Sequence, residues 1–205
     1  ALLLDYKAEL LLEDGKPDKA LKKRNRAIEI MEKEYTQTID KRTVSLLSNL
    51  YNNVGTIYTS LYKKDDAAAY FEKAFLIRIK HKELDLVETH DLLQQMMNLT
   101  NVRLAQNRTD EAENILAHYE MIVTEKIGTD SLDYGICKLI RGVIALKQCH
   151  YSEAEHFLSG AEHIFQHTIP QSNDYLNNAR QYLYSLYMKQ GKYSLAKTYN
   201  PKLNN

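Results

Sequence analysis

At 205 residues, with 27 Lys and Arg against 27 Asp and Glu, the chain has no net field to draw in nucleic acid or an anionic membrane. Seven Gly and three Pro are too few for an all-β or loop-rich protein, and no apolar run approaches a membrane span in length. The two cysteines, Cys137 and Cys149, fall on one predicted helix about 18 Å apart along its axis, so no disulfide and a cytoplasmic setting are expected.

The start, Ala1-Leu2-Leu3-Leu4, is apolar, but Asp5 and Lys7 end the run long before a signal-peptide core is complete. Opening mid-pattern and without Met, the chain reads as an excised piece of something longer. The first predicted helix covers 2 to 13 and pairs with 18 to 35 across Asp14-Gly15-Lys16-Pro17, where Gly15 suits the C′ position and Pro17 a helix start. Lys16, Lys19, Lys22, Lys23, Arg24 and Arg26 make the second of these helices basic. The acids flanking it make a solvated or domain-facing surface a better reading than a phosphate site.

Residues 46 to 62 carry Leu47, Leu50, Tyr51, Val54, Ile57, Tyr58 and Leu61 at three- and four-residue steps, an amphipathic helix. Gly55 lies in its middle, where Gly costs roughly 1 kcal/mol against Ala, so a neighbouring helix is expected to lie against the backbone there. Asp65 or Asp66 is the predicted N-cap of a return helix with Ala67, Tyr70, Phe71, Ala74, Phe75 and Ile77. The third pair is 89 to 106 with 109 to 126, capped by Thr109 or Asp110. The fourth is 131 to 148 with 152 to 168, where Ser152 and Glu155 form a capping-box pattern. The fifth is 173 to 190 with a short helix from about 194, cut by Pro201 ahead of a fraying end.

Ala20, Ala67, Ala112, Ala154 and Ala196 mark the same point in these five hairpins and lie 47, 45, 42 and 42 residues apart. Each follows a polar turn, so each is a small residue where two helices approach closely. A fixed period of this size means stacked repeats, with boundaries at about 2–41, 46–86, 89–128, 131–170 and 173–205 of a single domain.

The residues around the markers resemble the tetratricopeptide repeat family. The second repeat matches with Tyr51, Val54, Gly55, Tyr58, Ala67, Phe71 and Ala74, and the first with Leu4, Ala8, Leu11, Gly15, Ala20 and Ala27. The fourth matches with Gly142, Ala145, Ala154, Leu158 and Ala161, and the fifth with Leu183, Tyr187, Gly191 and Ala196. The long units are similar to those of kinesin light chains and of many bacterial regulators. Departures are Arg24 for a bulky residue, Thr100 and Arg103 for Gly and Tyr, and Lys138 and Arg141 at apolar positions.

The resemblance implies an all-α fold, an α-solenoid of antiparallel helix pairs stacked in a right-handed superhelix, with the first helix of each repeat lining a concave groove. Its inward positions carry over to Asn49, Asn52, Asn53, Thr56 and Thr59, to Gln94, Met97, Asn98 and Asn101, and to Asn178, Gln181, Tyr182 and Ser185. Carboxamides donate and accept together, so they can pair with a guest backbone whatever its side chains. In the fourth repeat the same positions are Ile136, Leu139, Ile140, Val143 and Leu146, either an apolar patch around Leu139 and Val143 or core. If they are core, Lys138 and Arg141 face solvent. Only Lys147 and Lys189 come near the family's carboxylate-clamp positions, which argues against a clamp for C-terminal carboxylates.

His156, His163 and His167 share a helix face but no metal motif, and no phosphate loop or nucleophile elbow stands out. The expectation is a non-enzymatic scaffold without cofactors, binding a protein or peptide through its groove. The rival reading is a peptide-sensing domain of a transcription regulator or sensor kinase.

Overall fold

The computed structural model describes residues 1–81, 89–168 and 174–200. Among them are ten α-helices and no strand: α1 (Leu2–Glu13), α2 (Pro17–Gln37), α3 (Lys41–Ser60), α4 (Lys64–Lys80), α5 (Thr89–Ala105), α6 (Thr109–Lys126), α7 (Leu132–Lys147), α8 (Tyr151–Thr168), α9 (Asp174–Lys189) and α10 (Tyr193–Thr198). Pro201 lies outside the described residues. The chain forms two compact units, Ala1–Ile115 and Leu116–Asn205, with the division inside α6.

One turn is used five times. Gly15, Tyr62, Asn107, Cys149 and Gly191, each five residues before its marker alanine, all adopt φ between 59° and 70°. In each, the amide of the next residue reaches five positions back, as in Lys63 N to Tyr58 O at 2.9 Å and His150 N to Ala145 O at 2.9 Å. This left-handed closure satisfies the last carbonyls of the first helix and delivers the chain straight into the second. The second helices other than α6, which spans the expected 109–126, therefore begin earlier than expected. Asp65, Asp66, Thr109, Asp110 and Ser152 all fall inside helices instead of capping them. Lys63, which has no side-chain cap bond, occupies the N-cap of α4. Cys149 likewise sits in the turn after α7, not on the helix with Cys137. The start of α3 also lies ahead of the expected 46, because Asp40 and Thr43 form a reciprocal capping box. The Thr43 amide bonded to the Asp40 carboxylate holds that carboxyl below its ordinary range.

In the first unit the core joins α1 to α4 through Ala8, Ala20, Ile28, Met31, Leu47, Leu50, Val54, Ile57 and Ala74. A second cluster joins α4 to α5 through Ala67, Ala68, Phe71, Leu99 and Val102. At Gly55 an added Cβ would stand 2.7 Å from the Phe71 ring, so the close neighbour is an aromatic side chain of the paired helix. The second unit buries Leu158, Ala161, Phe165, Leu176, Leu183 and Leu186. All five marker alanines are buried.

The charged departures from the repeat pattern are buried or half-buried, and each has a partner. Arg24, 3% exposed, donates from Nε to Asp5 at 2.8 Å and also pairs with Glu9. Arg103 bridges Glu72 at 3.0 Å and Glu111 at 3.2 Å. Ile136, Leu139, Ile140 and Leu146 are buried. Lys138 and Arg141 nevertheless are only partly open to solvent. Arg141 is half-buried, 2.9 Å from Glu120 and over the Phe157 ring, and the Lys138 amine lies over Tyr134 and Phe157. Aromatic faces and a carboxylate replace the water that these cations give up.

Candidate functional site

In the first unit, α3 follows the amphipathic rule closely: Leu47, Leu50, Val54 and Ile57 go into the core. The residues between them, Asn49, Asn52, Asn53 and Thr56, are thereby turned to another side of the helix. With α5 packed on α4, and Gln94 and Asn98 on its accessible side, carboxamides from two helices meet. The result is a cleft of about 320 Å³ lined by Asp5, Asn49, Asn52, Asn53, Asp91 and Gln94, together with Leu2, Leu46 and Gln95.

Its floor is ordered by a buried cation. Arg78 is fully buried and donates from Nη2 to Asn49 Oδ1 at 2.8 Å and to Asp91 at 2.7 Å. Gln95 Nε2 lies 3.5 Å from the same Asn49 oxygen. Higher up, Asn98 Nδ2 donates to Asn52 Oδ1 at 2.8 Å. Both α3 carboxamides thus have their oxygens engaged by protein donors, leaving their NH₂ groups to be presented as donors, while Asn98 has its oxygen to offer. Asn53 and Gln94 make no side-chain hydrogen bond among the described residues. The two carboxylates of the cleft are each matched to a buried arginine, Asp5 to Arg24 and Asp91 to Arg78. The surface is therefore polar without a strong sign.

Not every expected position joins this cleft. Asn53 and the exposed Thr56 also line a neighbouring cleft between α1 and α3, of about 570 Å³, with Glu9, Leu12, Pro17 and Ile57. Met97 is half-buried and Asn101 exposed on α5, and neither lines the two clefts. Asn178, Gln181 and Tyr182 are exposed and Ser185 half-buried on α9, in the second unit. In the same unit Leu139 is buried and Val143 half-buried on α7. Arg78, Asp91 and Gln95 belong to the site and were absent from the expected set. One signal was available for Arg78. It continues the buried stripe Ala67, Phe71, Ala74 at helical spacing, where a lone charge calls for a buried partner.

Cys137 lacks the chemistry of a nucleophile. It is fully buried, and burial, reinforced by Glu120, pushes its thiol up to about 12, so it stays protonated at neutral pH. Among the described residues no helix is long and apolar enough to cross a membrane.

The tetratricopeptide repeat family model matches residues 47–81, most of the α3–α4 hairpin, which supplies Asn49, Asn52 and Asn53 to the cleft. Solved structures share the architecture at low identity. BtubC (BKLC) from P. vanneervenii is 20% identical with a TM-score of 0.76, over 95% of this chain and 74% of that one. A Podosopora anserina kinesin-light-chain-type protein with nearly identical TPR-like repeats is 14% identical with a TM-score of 0.69, over 96% and 89%. The apo form of RapI is 14% identical with a TM-score of 0.73, over 96% of this chain and 50% of that one. No curated protein matches. The fold is an all-α solenoid of helix pairs of the tetratricopeptide type. Residues 47–81 are a tetratricopeptide repeat by sequence.

Proposed function

We propose that this chain is a non-catalytic binding module that holds an extended segment of a partner protein on the carboxamide surface of α3 and α5. The observation that carries the reading is the convergence of Asn49, Asn52, Asn53 and Gln94 on one cleft whose floor is fixed by Arg78. A peptide backbone offers alternating carbonyls and amides, and this surface offers oriented NH₂ donors beside carboxamides still able to accept. Because Arg78 and Asn98 hold two of these groups before any guest arrives, little ordering remains to be done on binding. The same reading puts the protein in the cytoplasm, where Cys137 and Cys149, neither in a disulfide, would remain thiols.

The test is selection of linear peptides from a displayed library on the wild-type protein, followed by affinity measurement on Asn53→Ala combined with Gln94→Ala. These two side chains take no part in the internal hydrogen bonding. The variant is expected to melt within a few degrees of wild type and to lose about ten-fold or more in affinity, roughly 1.4 kcal/mol. Absence of any enriched peptide, or enriched peptides that bind the variant equally well, would overturn the reading.

A further inference from the structure

The charges of the α3–α5 cleft cancel in sum but not in position. The side chain of Arg78 is fully buried and that of Arg24 is 4% exposed, whereas their acids, Asp91 and Asp5, are 32% and 30% exposed. Each arginine lies deeper than its acid, so a guest meets the carboxylates first. Arg78 holds Asp91 through one oxygen, Oδ2, and the Arg24 Nε holds Asp5 through Oδ1, so both carboxylates keep capacity to accept. Gln95 adds a third acceptor. Arg78 only donates, so the Asn49 atom that faces it is the oxygen, and the Gln95 atom that faces this oxygen is the amide nitrogen. The other atom of that carboxamide, Oε1, is buried and receives no hydrogen bond among the described residues, on a side chain that lines the cleft and is 1% exposed. Gln95 and Asp91 both stand on α5, and their setting is made by α3 and α4 through Asn49 and Arg78.

We propose that this cleft takes a cationic side chain of the guest segment, an arginine or a lysine, which donates to Gln95 Oε1 and to the carboxylates of Asp91 and Asp5. The inference rests on the binding-module reading above and adds the chemistry of one guest residue. The other classes of guest side chain leave something unmet. An acidic residue finds no lysine among the lining side chains, and both arginines are already matched to acids. The two carboxylates that face it oppose its entry. An apolar residue would cover Gln95 Oε1 and both carboxylates without bringing a donor, and buried acceptors left bare cost binding. A cation with several N–H groups serves all three acceptors at once, and charge-assisted bonds to carboxylates are the stronger kind.

The probes are peptides enriched on the whole chain from a displayed library of random heptapeptides. They should share one arginine or lysine, and norleucine at that position should lower affinity about ten-fold or more. The ratio of the two affinities is then measured on Asp91→Asn and on Gln95→Met. In the first variant the amide oxygen can still accept from Arg78, and the second gives up only the 3.5 Å contact to Asn49. The ratio should shrink about three-fold or more in each. Because it compares two peptides on one protein, a partial loss of folded material leaves it unmoved. Enriched peptides that share no basic residue, or a ratio unchanged on either variant, overturn the inference while peptide binding itself stands. Failure to enrich any peptide overturns the binding-module reading and this inference with it.

Discussion

Arg78 reaches from α4 to Asn49 on α3 at 2.8 Å, and the same nitrogen holds Asp91 of α5 at 2.7 Å. One buried guanidinium therefore ties three helices together beneath the candidate site. Replacing Arg78 with Met keeps the length of the side chain but strands the Asp91 carboxylate and the Asn49 oxygen. Removing one partner of a buried pair costs about 3–5 kcal/mol. Asp91 is about a third exposed and recovers part of that through solvent, so a loss of roughly 1–3 kcal/mol is expected. Urea denaturation measures it. A double-mutant cycle with Asp91→Asn separates the pair from the rest of the network, and full additivity would show that the two residues do not act together.

Tyr62 is 90% exposed and holds φ at 59°, a conformation that Gly adopts without strain. Gly15 and Gly191 occupy the equivalent turn positions in the first and last hairpins. Tyr62→Gly should therefore stabilise the protein by about 1 kcal/mol, read as a higher Tm. Asn107→Gly should give less, because Asn tolerates the left-handed region better than Tyr. Equal or reversed effects would mean that the turn is not under strain at Tyr62.

Much of this architecture was legible in the sequence. The marker alanines recur because only a small residue fits where paired helices touch, and steric exclusion leaves a trace that periodicity can find. The helix starts were harder to read. Asp65, Asp66 and Ser152 look like caps, but the left-handed residue just before them returns the chain to helix at once, and backbone bonds do the work. The buried arginines were less legible still. Arg103 finds Glu72 and Arg78 finds Asn49 across 31 and 29 residues, pairings that no local window contains. For the candidate site, Asn49, Asn52, Asn53 and Gln94 were nominated by position on their helices. Their convergence depends on how α5 packs against α4, and that is a tertiary fact.

His81, at the end of α4, is 4% exposed and its Nε2 stands 2.6 Å from the Tyr35 hydroxyl, with the rings edge to face. Burial, and secondarily the neighbouring Lys80, lowers its pKa below the ordinary histidine value near 6.5. The folded state thus favours the neutral ring. This contribution to stability is fully present above about pH 6.5 and is lost as the pH falls through that value towards the folded pKa. Chemical denaturation between pH 5 and 8 should show stability falling on the acid side, with a shallower fall in His81→Gln. An identical pH profile in the variant would exclude His81 as the source.

Ala67 and Ala69 sit two residues apart on α4, the first fully buried and the second exposed. The same substitution at the two positions separates helix crossing from helix propensity, since Leu and Ala are both good helix formers. Ala67→Leu inserts three carbons against Phe71, Leu99 and Val102, the cluster that joins α4 to α5, and should cost about 1–3 kcal/mol. Ala69→Leu should stay within about 0.5 kcal/mol of wild type. Because α5 carries Gln94 and Asn98, forcing it away from α4 also widens the carboxamide cleft. Peptide affinity should therefore fall with Ala67→Leu and hold with Ala69→Leu. If both variants melt alike, the close crossing at Ala67, on which the whole repeat register rests, is wrong.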